Sequence, residues 1–388
     1  MSRPAMNRAL AGFTSTIFAE MSALAVGTGS INLGQGFPDF DGPPSMLRRA
    51  QRAIAEGLNQ YPPGPGTPEL RAAIAEHQHR FYGLTLDPDT EVLVTAGASE
   101  GLAAAMLGLL EPGDEVVMLE PYFDLYAATV AMAGGVRRPV RLEPPDFALP
   151  RAALAEAIGP QTRLLLLNSP HNPTGMVLAA DDLAFVADLA RANDLIVVTD
   201  EVYEHLTFDG RTHRPLCTLP GMAERTVTIS SAGKTFSATG WKIGWVTGPA
   251  ELVAAVRAAK QYLTYVNGAP FQPAIAEALR LPDSVFAGFR DSLQRKRDRL
   301  MTGLRAAGFT VFRPSGTYFV VADGRGLGYD DGYRLCLDLP RLCGVVAVPM
   351  QVFYDEPVGG ASSLVRFAYC KRDEVLDEAV ARLARLAR

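Results

Sequence analysis

Lys234 stands in the run Ser230-Ser231-Ala232-Gly233-Lys234-Thr235-Phe236. Upstream lie Asn172-Pro173-Thr174-Gly175 and Asp200-Glu201-Val202-Tyr203, and downstream lie Gly240-Trp241-Lys242 and Arg366. These residue types, in this order, suit an aldehyde cofactor with a pyridine ring and a phosphate. The Lys234 amine can form a Schiff base and, once released, carry a proton. A carboxylate such as Asp200 can keep a pyridine nitrogen protonated, which makes the ring an electron sink. Tyr203 and Asn172 can donate to a ring hydroxyl. Ser231 and Lys242 offer a hydroxyl and a cation to a phosphate. Arg366, a guanidinium on an otherwise apolar run, suits a substrate carboxylate as a bidentate partner.

Each piece also has a plain structural explanation. Lys234 could be a surface lysine, Asp200 a helix cap, Asn172-Pro173-Thr174-Gly175 a turn, and Arg366 half of an internal ion pair. Their combination, not any single one, carries the reading.

The elements that must position these residues follow from periodicity. Apolar runs at 91–95, 115–119, 164–167, 195–199, 227–230 and 243–247 read as strands. Helical patterns at 99–110, 125–133 and 182–191 fall between the earlier ones, and strand–helix alternation predicts a mostly parallel sheet wrapped by helices. Asp200 would then sit at the carboxyl end of a strand, where such sheets bind ligands. Gly97-Ala98-Ser99 would join a strand to a helix and present free N–H groups to a phosphate. Thr67-Pro68-Glu69 reads as a helix start, and one short helix is expected near 14–24. Helical stretches at 251–262 and 273–279 precede a long charged helix at 284–307. After it, strands are expected at 309–312, 318–321, 345–348 and 364–367, with a closing helix from Asp373. The expected organisation is an N-terminal arm with part of the small domain (1–44), a large α/β cofactor-binding domain (45–285) and a small α+β domain (286–388).

Composition bounds the rest. At 388 residues two domains are the natural division. A net charge of −5, with no Lys/Arg-rich run, gives no reason to expect a nucleic-acid partner. Cys217, Cys336, Cys343 and Cys370 have neither C-x-x-C nor zinc-type spacing, so reduced thiols are expected. Without a signal-type start or an apolar stretch of about 20 residues, the expectation is a soluble cytoplasmic protein with no membrane partner. Gly233-Lys234-Thr235 mimics the end of a P-loop, but Thr228 stands where that loop needs glycine. The glycine runs from Gly34 and Gly324 fail as dinucleotide loops at Asp39 and Tyr329. His77 and His79 are two apart on a helix and point to different faces, so no metal site is expected. No hydrolase nucleophile elbow is expected either.

With these residues in place, the chain resembles the fold-type-I, class I/II aminotransferases that use pyridoxal 5′-phosphate, from Asn32-Leu33-Gly34-Gln35-Gly36-Phe37-Pro38 to Arg366. It is most similar to the branch of kynurenine/glutamine and bacterial N-succinyldiaminopimelate aminotransferases, through Asn59-Gln60-Tyr61-Pro62-Pro63-Gly64-Pro65-Gly66, Lys260-Gln261-Tyr262-Leu263, Gly268-Ala269-Pro270-Phe271-Gln272-Pro273 and Leu327-Gly328-Tyr329-Asp330-Asp331. The resemblance implies that Lys234 holds the cofactor covalently and that Asp200 meets the ring nitrogen. Tyr203 and Asn172 would meet the ring hydroxyl, and Phe123 would stack on the ring. Gly97, Ala98, Ser99, Ser231 and Lys242 would hold the phosphate. It implies that Tyr61 reaches the phosphate of a neighbouring subunit, hence a homodimer with shared sites. Arg366, with Asn168, Asn172 and the Gly36 backbone, would hold the substrate. Lys242 replaces the arginine of the family's most familiar members, a point charge for a fork. The implied reaction moves an amino group from N-succinyl-LL-2,6-diaminopimelate to 2-oxoglutarate, in lysine biosynthesis. Kynurenine, glutamine or methionine is the alternative donor, with β-elimination from cysteine conjugates as a side activity.

Overall fold

The computed structural model describes residues 6–13, 16–356 and 361–387. Its strands are β1 (Ile31–Asn32), β2 (Val92–Ala96), β3 (Glu115–Glu120), β4 (Val136–Arg141), β5 (Thr162–Asn168), β6 (Ile196–Asp200), β7 (Thr226–Ser231), β8 (Ile243–Thr247), β9 (Thr310–Phe312), β10 (Phe319–Asp323), β11 (Val345–Val346), β12 (Val348–Pro349) and β13 (Leu364–Ala368).

Seven of them form one sheet in the order β2-β8-β7-β6-β5-β3-β4. Their side chains are buried along nearly the whole of β2, β3 and β5 to β8, as expected when helices cover both faces. β8 runs antiparallel to both neighbours, while the other pairings are parallel. The expected α/β architecture is therefore present. Two apolar clusters pack the sheet's faces, and a third, larger one runs on into the C-terminal part of the chain.

A four-stranded antiparallel sheet, β12-β13-β10-β9, follows the long helix Asp283–Ala306. β1 pairs in parallel with β11, so the N-terminal segment joins this C-terminal unit and not the large sheet. The run expected as one strand at 345–348 is two short strands in different sheets. The first long helix spans Ile17–Thr28, capped by the Thr16 side chain; the expected start at 14–15 lies outside the described residues.

Two elements do not follow from apolar periodicity. β4, Val-Arg-Arg-Pro-Val-Arg, is an edge strand whose charges and proline leave almost no alternation. Its Arg138 and Arg141 pair with Glu115 and Glu120 on β3, and Pro139 is tolerable because an edge strand need not donate on both sides. The helix Gly332–Cys343 contains Pro340, which masks a buried stripe of Leu335, Cys336, Leu339 and Cys343.

One ion pair ties the long helix to the loop after β6. Arg297, with a fully buried side chain, donates to both oxygens of Asp209 (2.7 and 2.9 Å) and to the Pro314 carbonyl (3.0 Å). The two arginines beside it, Arg297 foremost, hold the Asp209 carboxyl far below its usual range. Asp209→Ala leaves a buried guanidinium with only Asp298 for charge, and should cost about 2–4 kcal/mol. Because the Asp209 pKa is depressed, its contribution is present above about pH 4 and fades as pH falls below that. Denaturant midpoints of the two proteins should therefore differ more at pH 7 than at pH 2.

Candidate active site

The site forms where the strands of the large sheet end. Ala96 closes β2, Asn168 closes β5, Asp200 closes β6 and Ser231 closes β7. Because β8 is reversed, its first residues lie at the same edge, and Lys242 immediately precedes it. Register puts Asn168 beside Asp200, and Ser231 beside Gly244. One cavity is lined by Gly36, Gly97, Ala98, Ser99, Phe123, Asn168, Asn172, Asp200, Tyr203, Ser231, Lys234, Lys242 and Arg366. Thus every expected site residue but Tyr61 meets there. Tyr61 is 83% exposed, packs edge-on against Tyr265, and stands outside the cavity.

Lys234 lies in a one-turn helix, Ala232–Thr235, started by the Ser231 side chain accepting from the Gly233 N–H. Its amine donates to the Tyr318 hydroxyl at 2.8 Å. Burial lowers its pKa to about 8, against the opposing pull of Cys370 and Asp200, and with Arg366 and Lys242 adding to the lowering. An amine so placed is partly neutral near neutrality, the form that attacks a carbonyl or takes a proton.

Asp200 is buried, and burial raises its pKa. Two donors meet it: the Tyr126 hydroxyl at 2.6 Å and the Val202 N–H at 3.2 Å. The pull of Lys234 reaches it only as a secondary influence. A buried carboxylate held this way favours a cationic ring nitrogen as a partner.

The helix Gly97–Leu109 begins in the cavity with no capping side chain among the described residues, so its first N–H groups are open to an anion. Gly97 has φ +71°, and a Cβ there would meet the Lys242 ammonium at 3.4 Å. A Cβ on Gly244 would come within 2.5 Å of the Gly97 carbonyl carbon, so β8 approaches this loop so closely only because position 244 is glycine.

Arg366 is buried in β13 under Phe319, whose ring lies 3.9 Å from the guanidinium carbon. It donates to Asn172 Oδ1 (2.8 Å) and the Gly34 carbonyl (3.2 Å), while Nε has no partner among the described residues. Burial lowers its pKa to about 10. An under-satisfied buried cation is what a ligand carboxylate would complete. With its oxygen committed to Arg366, Asn172 has its NH2 group to offer a ligand. Asn168 holds the loop: its oxygen accepts from the Asn172 N–H (2.7 Å) and its NH2 donates to the Asp200 carbonyl (2.8 Å).

These donors and acceptors fit pyridoxal 5′-phosphate. An amine, a carboxylate, an anion cradle and an unsatisfied guanidinium stand around one cavity, and each complements a group of the cofactor or of an amino-acid substrate.

Tyr126 and Tyr318 are site residues that the sequence does not flag. Tyr126 follows Phe123 by three, one helical turn along the same face, and that spacing is the signal for it. Tyr318 sits beside an apolar strand and reads as core. Gly97-Ala98-Ser99-Glu100-Gly101 does have hydrolase-elbow spacing, contrary to the expectation. No histidine lines the cavity among the described residues, so Ser99 lacks the histidine that such an elbow's serine pairs with. His77 lies near Glu204 and His205, a grouping only the fold creates. The 2.7 Å between its Nε2 and that of His205 is a hydrogen bond between imidazoles that burial keeps neutral.

A family model described as aminotransferase class I and II matches residues 28–383. A probable N-succinyldiaminopimelate aminotransferase of Mycobacterium tuberculosis is 58% identical over 97% of each chain. The solved structure of N-succinyldiaminopimelate aminotransferase from that organism superposes with a TM-score of 0.97, covering 99% of this chain and 100% of that one. A methionine aminotransferase of Escherichia coli is 38% identical over 96% of each. Among the described residues no helix is long and apolar enough to cross a membrane.

Tyr126→Phe removes a donor from buried Asp200 and should raise that carboxyl's pKa further. Since the loss bears on the charged form, the variant should be less stable than wild type by about 1–2 kcal/mol at pH 8, and by less at pH 4. Denaturation at the two pH values measures this.

Proposed function

The chain belongs to the class I and II aminotransferases, and from that premise we propose that it moves the amino group of N-succinyl-LL-2,6-diaminopimelate to 2-oxoglutarate, in lysine and diaminopimelate biosynthesis. That it is an aminotransferase, an enzyme acting on amino and 2-oxo acids, follows from the family, whose members depend on pyridoxal 5′-phosphate. The reading of the site is carried by one observation: Lys234, Asp200, Lys242 and Arg366 converge on a single cavity. The donor is supported by the near end-to-end likeness to the mycobacterial enzyme.

The cofactor, when bound, supplies an aldehyde carbon and a ring that draws electrons from the substrate's Cα. The residues of this chain do the rest. Lys234 Nζ would hold the cofactor at its aldehyde carbon, and as a free amine would take the proton from the substrate's Cα and hold it. Asp200 would keep the ring nitrogen protonated, and the Tyr126 hydroxyl favours the charged form of Asp200 over the neutral one. Tyr203 and Asn172 donate to the ring hydroxyl, and Phe123 covers the ring. The open N–H groups at Ala98 and Ser99, with Gly97, Ser231 and Lys242, hold the phosphate. Arg366 grips the α-carboxylate beside Asn168, Asn172 and the Gly36 backbone, which fixes Cα against the ring.

Among the described lining residues the cations are Lys234, Lys242 and Arg366. On the roles above all three are engaged, so the donor's distal carboxylates would need partners other than these cations. We also propose a homodimer in which Tyr61 of one subunit, exposed in the single chain, reaches the other's phosphate. We further propose a cytoplasmic location and the division into 1–44, 45–285 and 286–388.

Lys234→Ala should lose the visible absorbance that cofactor attachment gives and fall by at least about a thousandfold in turnover; a yellow, active variant contradicts the assignment. Steady-state rates over a donor panel test the substrate. N-succinyl-LL-2,6-diaminopimelate should give the highest kcat/KM, and a higher value for methionine or kynurenine would replace it.

A further inference from the structure

Lys234 Nζ lies 2.8 Å from the Tyr318 hydroxyl oxygen and 3.4 Å from the Gly36 carbonyl oxygen, and that hydroxyl is itself 2.6 Å from the same carbonyl. A carbonyl only accepts, so the single phenol hydrogen goes to Gly36, and Tyr318 meets the lysine as an acceptor. A neutral amine has two hydrogens and one lone pair. Both hydrogens have oxygen acceptors here, one close and one longer, and the lone pair is left to face away from them.

The acceptor is held rigidly. Tyr318 is fully buried, just before β10, with its ring edge-on to Tyr203 (5.2 Å, 89°) and tilted against Phe319 (4.8 Å, 66°). Lys234 lines the cavity, and Tyr318 stands behind it. Burial holds the phenol well above its ordinary range, so it stays protonated and its donor direction does not change with pH. The hydroxyl thus joins three separate parts of the chain: the loop before β10, the turn after β7 and the segment after β1.

We propose that Tyr318 is a positioning residue for the Lys234 amine: anchored on the Gly36 carbonyl, its phenol oxygen takes one amine hydrogen and turns the nitrogen lone pair toward the cavity. The proposal rests on Lys234 being the reactive amine. The other titratable and charged groups acting on that amine are Asp200, Cys370, Arg366 and Lys242, and Tyr203 presents its ring at 5.7 Å. Asp200, Cys370, Arg366 and Lys242 are unchanged in the test, while Tyr203 loses the hydrogen bond that its hydroxyl shares with Tyr318.

The test uses protein stripped of cofactor. Pyridoxal 5′-phosphate is added across pH 6–10, and the growth of the visible band and of borohydride-fixed label at Lys234 is timed for wild type and Tyr318→Phe. Wild type should show an inflection near pH 8. Tyr318→Phe keeps the ring packing but loses an acceptor that favours the charged amine, so the inflection should move down by about one pH unit. With the lone pair no longer aimed, the plateau rate should fall about tenfold. A merely structural role would lower the melting temperature and leave the inflection in place. A folded Tyr318→Phe with wild-type inflection and plateau overturns the proposal. If Tyr318→Phe does not fold, 3-fluorotyrosine at position 318, nearly the same size but a poorer acceptor, should shift the inflection the same way by less, and no shift overturns the proposal. Wild type that fixes no cofactor at Lys234 sinks the assignment of Lys234 itself, and Tyr318 with it.

Discussion

The site depends on keeping one lysine amine out of water. Desolvation is the largest influence on Lys234, and it brings an amine that would be almost wholly charged in water to a pKa of about 8. Everything nearby serves or tolerates that. The sheet delivers the lysine on a one-turn helix at the end of a fully buried strand, β7. The C-terminal unit closes over it with Tyr318 and Arg366, and the segment after β1 adds the Gly36 carbonyl.

The same burial leaves two other charges incompletely answered. Asp200 has a hydroxyl and a backbone N–H but no close cation, and Arg366 has one nitrogen without a partner among the described residues. Leaving such groups short of partners opposes folding, and a ligand of complementary charge relieves it. On the roles proposed here, the cofactor's ring nitrogen answers the first and a substrate carboxylate the second. Binding then recovers what the fold gives up.

Much of this was legible in the sequence because buried parallel strands write themselves as continuous apolar runs, and the chemistry sits where those runs stop. Asp200 could be placed at a strand end from Leu195–Thr199 alone, and the turn after β2 from Gly97-Ala98-Ser99. Legibility failed where the signal is not apolar periodicity. β4 is an arginine-rich edge, and the helix over Gly332–Cys343 carries a proline. Tyr318, Tyr126 and the His77–His205 pair depend on neighbours 84, 74 and 128 positions away in the chain. A buried tyrosine that packs and one that holds a lysine look alike in one dimension. The resemblance to a known family supplied the role expected of Tyr61, which no local pattern fixes.

The most direct measurement is reduction of the purified protein with borohydride in the presence of pyridoxal 5′-phosphate, followed by peptide mapping. A single pyridoxyl label on the peptide that contains Lys234 is the predicted result. A label on any other lysine, or a protein that stays colourless and unlabelled with excess cofactor, would contradict the account.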